Sequence, residues 1–269
     1  SGMTVLGVEL SASRLLDPFF GNSLVIWAVI IGLMLLYLTA GYFLGGRWAD
    51  RDPRFSTFFQ ITAWGALLVG IIPFLAAPVL RWSVQGMADL DAGILIGSLV
   101  GVLILFSLPI TLLGAVSPFA IRLALPDVAR GGQVAGSIYA VSTLGSLVGT
   151  FLPVLILIPN LGTRLTFFVL AISLLLVSLG GLWLIRSKQA LAYTTMLILL
   201  VALNLLGAAA PIKPVPGLIY ETESSYNYIQ VAQFVDQQGA YWRFLYLNEG
   251  QGIHSAYSPN YYNYPLVDG

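Results

Sequence analysis

The sequence contains no cysteine, a single histidine and few charged residues, which make up only 9% of the chain. The absence of cysteine excludes disulfides, thiolate metal sites and cysteine nucleophiles. With one histidine, we expect no histidine-rich metal site. A soluble domain has about 25% charged residues, so this composition excludes an ordinary soluble protein. Twelve basic residues balance twelve acidic ones, and no net positive field favours nucleic acid.

The sequence is dominated by long runs of apolar residues. The chain is 58% hydrophobic, and a bilayer core requires about 20 apolar residues per helix. The sequence predicts spans near residues 23–44, 57–80, 92–113, 134–158, 164–185 and 190–209. The opening stretch, Ser1 to Leu16, is short, and we interpret it as the second half of a first span; an interfacial helix is the alternative. The predicted fold is a mainly α membrane protein, a polytopic bundle of about seven spans with the first one partial, followed by a small β-hairpin module.

Two spans carry packing signals. Small residues recur three or four apart in the fifth span, a spacing that lets membrane helices approach closely and predicts a central position for this helix: Gly136, Ser137, Ser142, Gly145, Ser146 and Gly149. Pro109 and Pro118 interrupt the end of the fourth span, where we expect the helix to kink or to end.

Charge inside the apolar stretches is confined to the beginning of the chain. Glu9 and Arg14 are candidate intramembrane polar residues, with Asp17 at the interface. Five residues correspond to about 140° around a helix, so Glu9 and Arg14 do not pair on one helix. We expect Glu9 to face the bundle and to meet a basic group or hydroxyls of another helix, as a structural contact or as a substrate or proton site.

Lys and Arg in the short loops indicate the orientation of the spans. One side holds seven of them: Arg47, Arg51, Arg54, Arg122, Arg130, Arg186 and Lys188. The other side holds four: Arg14, Arg81, Arg164 and Lys213. The larger group predicts a cytoplasmic side opposite the C-terminal module, which would then be extracytoplasmic.

The sequence changes character after the last span. Residues 1–210 form the predicted transmembrane domain, 211–217 a proline-rich linker, and 218–269 a β-strand module. Leu218 to Phe234 alternates with a period of two, residues 236–239 supply a turn, and Tyr241 to Leu247 forms the second strand. An isolated hairpin is marginal in water, so we expect the module to lean on the membrane domain, on a partner or on a further domain.

A loop and several strand motifs resemble known families. Gly46, Asp50, Arg51 and Arg54 match the G-x-x-x-D-R-x-x-R loop of major facilitator transporters, which is cytoplasmic in that family. The stretches E-T-E-S-S-Y-N-Y-I-Q-V from Glu221 and L-N-E-G-Q-G-I-H-S from Leu247 resemble the N-terminal β-domain of spermidine synthases. The whole chain is similar to bacterial proteins that fuse a facilitator-like membrane domain to a spermidine-synthase-like domain. The resemblance implies a bacterial inner membrane location.

The spermidine-synthase resemblance implies a substrate site at Tyr226, Asn227, Gln251 and His254, for decarboxylated S-adenosylmethionine and a polyamine. Asn227 and His254 depart from the family pattern, which puts ordinary spermidine synthesis in doubt. No G-x-G-x-x-G loop occurs in the 269 residues, and the family's Rossmann-like domain and catalytic acid are not among them. We therefore expect no catalytic residue and no cofactor bound by this chain alone, although a full-length relative would bind decarboxylated S-adenosylmethionine.

Three functions remain open. The chain is the membrane domain and β-domain start of an aminopropyltransferase-like protein, a facilitator-like small-molecule transporter, or a structural subunit of a membrane complex. The expected partners are the lipid bilayer and either other membrane subunits or a further C-terminal domain, with no nucleic acid. A need for cytoplasmic decarboxylated S-adenosylmethionine would put the module inside the cell, against the loop charges. We favour the loop charges, because they act over several loops during insertion.

Overall fold

The computed structural model describes residues 1–86, 93–125, 130–207, 211–224, 226–237, 239–248 and 252–258. Within these ranges, seven α-helices precede four β-strands. The helices are α1 (Gly2–Phe20), α2 (Leu24–Arg51), α3 (Phe55–Gly86), α4 (Gly93–Ala124), α5 (Gly131–Leu152), α6 (Ile158–Leu184) and α7 (Ala190–Gly207). A π-helical turn, Pro153–Leu157, joins α5 to α6. The strands are β1 (Leu218–Glu223), β2 (Tyr228–Val235), β3 (Tyr241–Leu247) and β4 (Ile253–Tyr257).

Five helical segments in the described chain are long and apolar enough to cross a membrane, which indicates a membrane protein. This number is smaller than the seven spans that the sequence predicts. The continuous helical segment Gly131–Leu184 joins the predicted fifth and sixth spans. The helix α1 is not one of the five; it has 19 residues and includes Glu9, Arg14 and Asp17.

The helices α2 and α4 approach each other closely where small residues face each other. A Cβ added at Gly41 would overlap the Thr111 carbonyl oxygen, and one at Gly45 would overlap Ala115. The spacing of Gly41 and Gly45 is the small-xxx-small pattern that brings membrane helices together.

The prediction that the fifth span is central is wrong. Gly149 is the only buried residue of α5. Gly145 and Gly149 contact Met3 of α1, whereas a Cβ at Gly136 would meet nothing within 4 Å. Small residues in a sequence indicate where close approach is possible, but not which helices approach.

The helix α4 runs through both Pro109 and Pro118 and ends only at Ala124. Of the two outcomes expected at these prolines, a kink or an end of the helix, the end is therefore wrong. A proline removes one intrahelical hydrogen bond, and membrane helices accommodate this loss by local adjustment. Both Pro109 and the neighbouring Ile110 are buried in the bundle, so packing holds the segment helical.

We expect Gly45→Ala to destabilise the bundle while Gly46→Ala does not. The new methyl at residue 45 would overlap the α4 backbone at Ala115, and overpacking of this kind costs about 1–3 kcal/mol. A methyl at residue 46 has no neighbour within 4 Å. Thermal unfolding of the two purified variants in the same detergent measures the difference. Equal melting temperatures would show that the α2–α4 contact is looser than the structure has it.

The C-terminal module is a four-stranded antiparallel sheet with the strand order β1-β2-β3-β4. The predicted first strand is in fact two strands, because the chain turns between Glu223 and Tyr228. The predicted turn before Tyr241 and the predicted strand Tyr241 to Leu247 are confirmed. The strand β4 adds to β3 through pairs such as Leu245 with Ser255. The hairpin that the sequence predicts is thus the centre of a larger meander.

The sheet shares its core with the helices. Along β2, Tyr228, Gln230 and Ala232 are buried, as their alternation predicts. Tyr228 and Ile212 of the linker belong to the same apolar cluster as the helix residues. The module therefore leans on the membrane domain, which is one of the three alternative supports expected from its small size.

Candidate functional site

Arg14 of α1 ties the sheet to the helices. Its Nη1 donates to the Tyr226 carbonyl oxygen at 2.8 Å, and its Nη2 donates to the Ser224 carbonyl oxygen at 2.7 Å. Both carbonyls belong to the turn between β1 and β2. The Ser224 hydroxyl closes this turn by accepting from the Asn227 backbone N–H at 2.9 Å. The planar guanidinium fits two carbonyls at once, which a single ammonium does less well.

The linker is held by two further cations. Arg81, near the end of α3, donates from Nη2 to the Pro214 carbonyl oxygen. Lys213 donates from Nζ to the Pro18 carbonyl oxygen of α1 at 2.6 Å. Residues 211–217 are thereby fixed across the helix ends, between α1 and α3.

Glu223, the last residue of β1, caps a helix at long range. Gly162 has a φ of 81° and a ψ of 167°, so the helical course is broken there and begins again at Thr163. The Thr163 N–H lies 3.1 Å from each Glu223 carboxylate oxygen, and its hydroxyl donates to Oε2. A carboxylate at this position complements the helix dipole and satisfies an N–H that has no partner within the helix.

The environment of Glu223 has opposing effects on its carboxyl group. Burial raises its pKa, and the hydrogen bonds from Thr163 and the charge of Arg14 lower it. Burial is the largest of these contributions, and the net pKa lies above the ordinary glutamate value. The neighbouring charge of Glu221 acts in the same direction as burial. Protonation therefore favours the arrangement in which the sheet is docked.

A second hydrogen-bond network joins the linker to β1 and β2. Glu221 Oε1 accepts from the Ile212 N–H at 3.0 Å, and the Tyr228 hydroxyl accepts from the Lys213 N–H at 3.1 Å. Gln230 Nε2 donates to the Lys213 carbonyl at 2.6 Å and to the Tyr228 hydroxyl at 2.9 Å. Burial, followed by the charge of Glu221, raises the pKa of Tyr228, which therefore stays neutral.

These contacts border a pocket of about 370 Å³ at the junction of helices and sheet. Its lining comes from the region of Gly162, from α6 and α7, from the linker and from β1. Its polar lining includes Arg164, Asn204, Glu221 and Glu223. Arg164 donates from Nη1 to the Gly207 carbonyl oxygen, and its guanidinium lies over the Phe74 ring, 5.4 Å from the ring centre.

Three buried polar atoms of this pocket have no hydrogen-bond partner within the described residues. They are Arg164 Nε, Asn204 Oδ1 and Glu221 Oε2. Each buried polar group without a partner costs about 1–3 kcal/mol. Their position in a single pocket indicates that water or a bound molecule completes them.

The residues that the spermidine-synthase resemblance implies do not form a pocket. Tyr226 is 84% exposed in the β1–β2 turn. Asn227 Oδ1 accepts from Asn248 Nδ2 at 3.2 Å, which braces β2 against the end of β3. His254 is exposed on β4, with its Nδ1 3.0 Å from the Ser255 hydroxyl. Gln251 lies outside the described residues. No contact within the described part of the chain joins His254 to Tyr226 or Asn227.

The other predicted site residues have modest roles. Glu9 is half-buried and forms no hydrogen bond or ion pair with the described residues, so the partner expected for it on another helix is not found there. In the facilitator-like loop, Asp50 pairs with Arg122 of α4 at 3.2 Å, and both side chains are exposed. Arg51 ends α2, and Arg54 pairs with Asp52. Gly46 has open space around it.

Sequence reasoning missed the pocket residues. The sequence indicates Arg164 only as one of four basic loop residues. Glu221 and Glu223 are predicted only as part of the first strand motif. The available signal was the single polar Asn204 near the end of an apolar span, together with the Gly162-Thr163-Arg164 sequence inside another apolar region. Neither signal predicts that β1 reaches the same place.

Within the described chain, no group of three or more His, Cys, Asp and Glu residues could hold a metal ion. Comparison with known proteins adds no relative: no family model, curated protein or solved structure matches this chain.

Proposed function

We propose that this protein is a membrane-spanning domain that holds the start of an aminopropyltransferase-like β-domain and is not catalytically complete by itself. The observation that supports this role of the membrane domain is the docking of the sheet on the helices. Arg14 contacts the β1–β2 turn, and Glu223 contacts Thr163. The nature of the carried domain rests on the strand motifs from Glu221 and Leu247.

The membrane domain is proposed to have seven spans, of which α1 is a partial one. A helix of 54 residues, the length of Gly131–Leu184, would extend about 80 Å, far more than the ~30 Å of a bilayer core. The non-helical Gly162 divides this segment near the sheet. Two crossings that meet at Gly162 reconcile the length with the bilayer, and α7 then returns the chain to the side of the sheet.

The sheet is proposed to be extracytoplasmic. The loop charges support this orientation. The hydrogen bonds of the four basic residues near the sheet support it as well. Each donates to a backbone carbonyl oxygen, as found for Arg14, Arg81, Arg164 and Lys213. Arg14, Arg81 and Lys213 make contacts that hold the sheet and the linker on the helices, whereas the opposite side keeps the larger set of loop charges.

We expect a cysteine at Tyr226 to react with an impermeant maleimide in intact cells. The natural sequence contains no cysteine, and Tyr226 is 84% exposed; Ser258, also in the module, is only 4% exposed and is a poor position for a label. A cysteine at Lys188, exposed at the opposite ends of the helices, should react only after lysis. The reverse pattern for the two positions would place the sheet in the cytoplasm.

We expect native membranes containing the protein and its partners to form an aminopropyl-transfer product from decarboxylated S-adenosylmethionine and a diamine. Membranes from a deletion strain should form less product, and a purified chain of these 269 residues should form none, because they contain no G-x-G-x-x-G nucleotide loop. Identical product in the two membrane preparations would refute the aminopropyltransferase-like assignment. Product from the purified chain would instead mean that the chain carries an active site of its own.

A structural subunit of a larger membrane complex is the second candidate. It is favoured by α5, where a Cβ added at Gly132 or Gly136 would meet no described residue within 4 Å and Gly149 is the only buried residue. Copurification of other membrane proteins at fixed stoichiometry, lost on replacing Gly136 by leucine, would favour this role over the first.

A further inference from the structure

The junction pocket has the size of a small-molecule site. Its volume of about 370 Å³ lies within the ~300–1,000 Å³ that ligand pockets occupy, and far exceeds the ~30 Å³ of one water molecule. Asn160 and Leu161 of its lining are exposed, so the pocket opens to the outside.

The unpartnered atoms define what a ligand must offer. Arg164 Nε is a donor and calls for an acceptor, preferably an anionic one. Asn204 Oδ1 and Glu221 Oε2 are acceptors and call for N–H or O–H donors. A second carboxylate, Glu223, also lines the pocket and is bonded to Thr163. A ligand that combines N–H donors with an acceptor would satisfy all three atoms. Because two carboxylates and one guanidinium line the pocket, a cation suits the donor end.

The location favours a lipid as the source of such a group. Asn204 and Arg164 lie at the ends of the apolar helices α7 and α6 nearest the sheet. Beside Asn204, Leu205 is 72% exposed and Leu206 is 86% exposed, which provides an apolar surface for acyl chains. A headgroup in the pocket could thus keep its chains along α7.

We propose that the junction pocket binds the ethanolamine phosphate headgroup of a phospholipid, with its ammonium at Asn204 and Glu221 and its phosphate at Arg164. A primary ammonium supplies three N–H donors, enough for both acceptors. A choline headgroup has no N–H, and a glycerol headgroup has no cation. The proposal rests on the bilayer placement of α6 and α7 and is independent of the aminopropyltransferase-like assignment.

Native mass spectrometry of the purified protein in detergent tests this proposal. The protein is mixed with phosphatidylethanolamine, phosphatidylcholine and phosphatidylglycerol of identical acyl chains. We expect the ethanolamine lipid to bind about tenfold more tightly than either other lipid, because each of them lacks one charge-assisted contact. Equal retention of ethanolamine and choline lipids would overturn the proposal.

Variants connect the preference with the pocket. Asn204→Leu removes an acceptor that has no partner among the described residues, and Arg164→Lys keeps the charge but removes the fork of donors. Asn204→Leu should abolish the preference for the ethanolamine lipid, and Arg164→Lys should weaken the binding of all three lipids alike, because each has a phosphate. Thr195→Leu, exposed on the same helix, should leave binding and preference unchanged. Soluble glycerophosphoethanolamine should displace the lipid only at much higher concentration. An unchanged preference in Asn204→Leu, or displacement at equal concentration, would refute a lipid in this pocket.

Discussion

Replacing Arg14 by alanine is expected to release the sheet from the helices. The guanidinium makes two hydrogen bonds to carbonyl oxygens of the β1–β2 turn, and bonds from a charged group contribute about 1.5–3 kcal/mol each. Arg14 is partly exposed, so we discount their sum to about 2–3 kcal/mol. The undocked population should then rise roughly 30- to 150-fold. Amide hydrogen exchange across β1 and β2 measures it, since undocking uncovers Tyr228 and Gln230.

Two further variants make the Arg14 experiment specific. Arg14→Lys keeps the charge but reaches one carbonyl at a time, and should exchange at an intermediate rate. Lys188→Ala removes an exposed cation at the opposite ends of the helices and should leave exchange in the sheet unchanged. If Arg14→Ala exchanged like the natural protein, the sheet would be held by its apolar contacts alone.

The membrane helices were predictable because each depends on a local property. A run of apolar residues is enough to specify a span, and the predicted spans agree with α2, α3, α4 and α7 to within a few residues at their starts. The predicted fifth and sixth spans are present as helices, but the sequence gives no sign that they are joined by a π-helical turn at Pro153. The alternation of β2 was readable for the same reason, because one face of the strand is buried.

The junction was not predictable because its contacts are distant in the sequence. Arg14 lies 212 residues from Tyr226, and Thr163 lies 60 residues from Glu223. A single sequence shows charge near the ends of spans, but not which carbonyl each cation reaches. The small residues of α5 illustrate the same limit: they predict a central helix, whereas Gly145 and Gly149 pack against Met3 of α1 and Gly149 is the only buried residue of α5. Partner choice depends on tertiary packing, which local patterns do not encode.

The second large effect is expected at Glu223. Glu223→Ala should destabilise the docked sheet by about 2–4 kcal/mol, because the change removes the cap of α6 and leaves the buried Thr163 N–H and hydroxyl unpaired. Thermal unfolding and exchange in β1 measure this loss. Thr163→Ala removes only the hydroxyl bond and should cost about 1 kcal/mol. Equal losses from Thr163→Ala and Glu223→Ala would mean that the backbone N–H contributes nothing.

The pH dependence of docking should follow the raised pKa of Glu223. A carboxyl group whose pKa is higher in the docked state contributes stability that is complete below its ordinary value, near 4.5, and is lost as the pH rises through the docked-state value. The sheet should therefore be docked more stably as the pH is lowered toward 4.5. Glu223→Gln resembles the protonated form and should remove this dependence, whereas Asp50→Asn, at an exposed carboxylate, should titrate like the natural protein. Melting temperatures compared across this pH range provide the test. Parallel curves for the natural protein and Glu223→Gln would mean that the hydrogen bonds from Thr163 and the charge of Arg14 offset burial, so that docking does not change the pKa of Glu223.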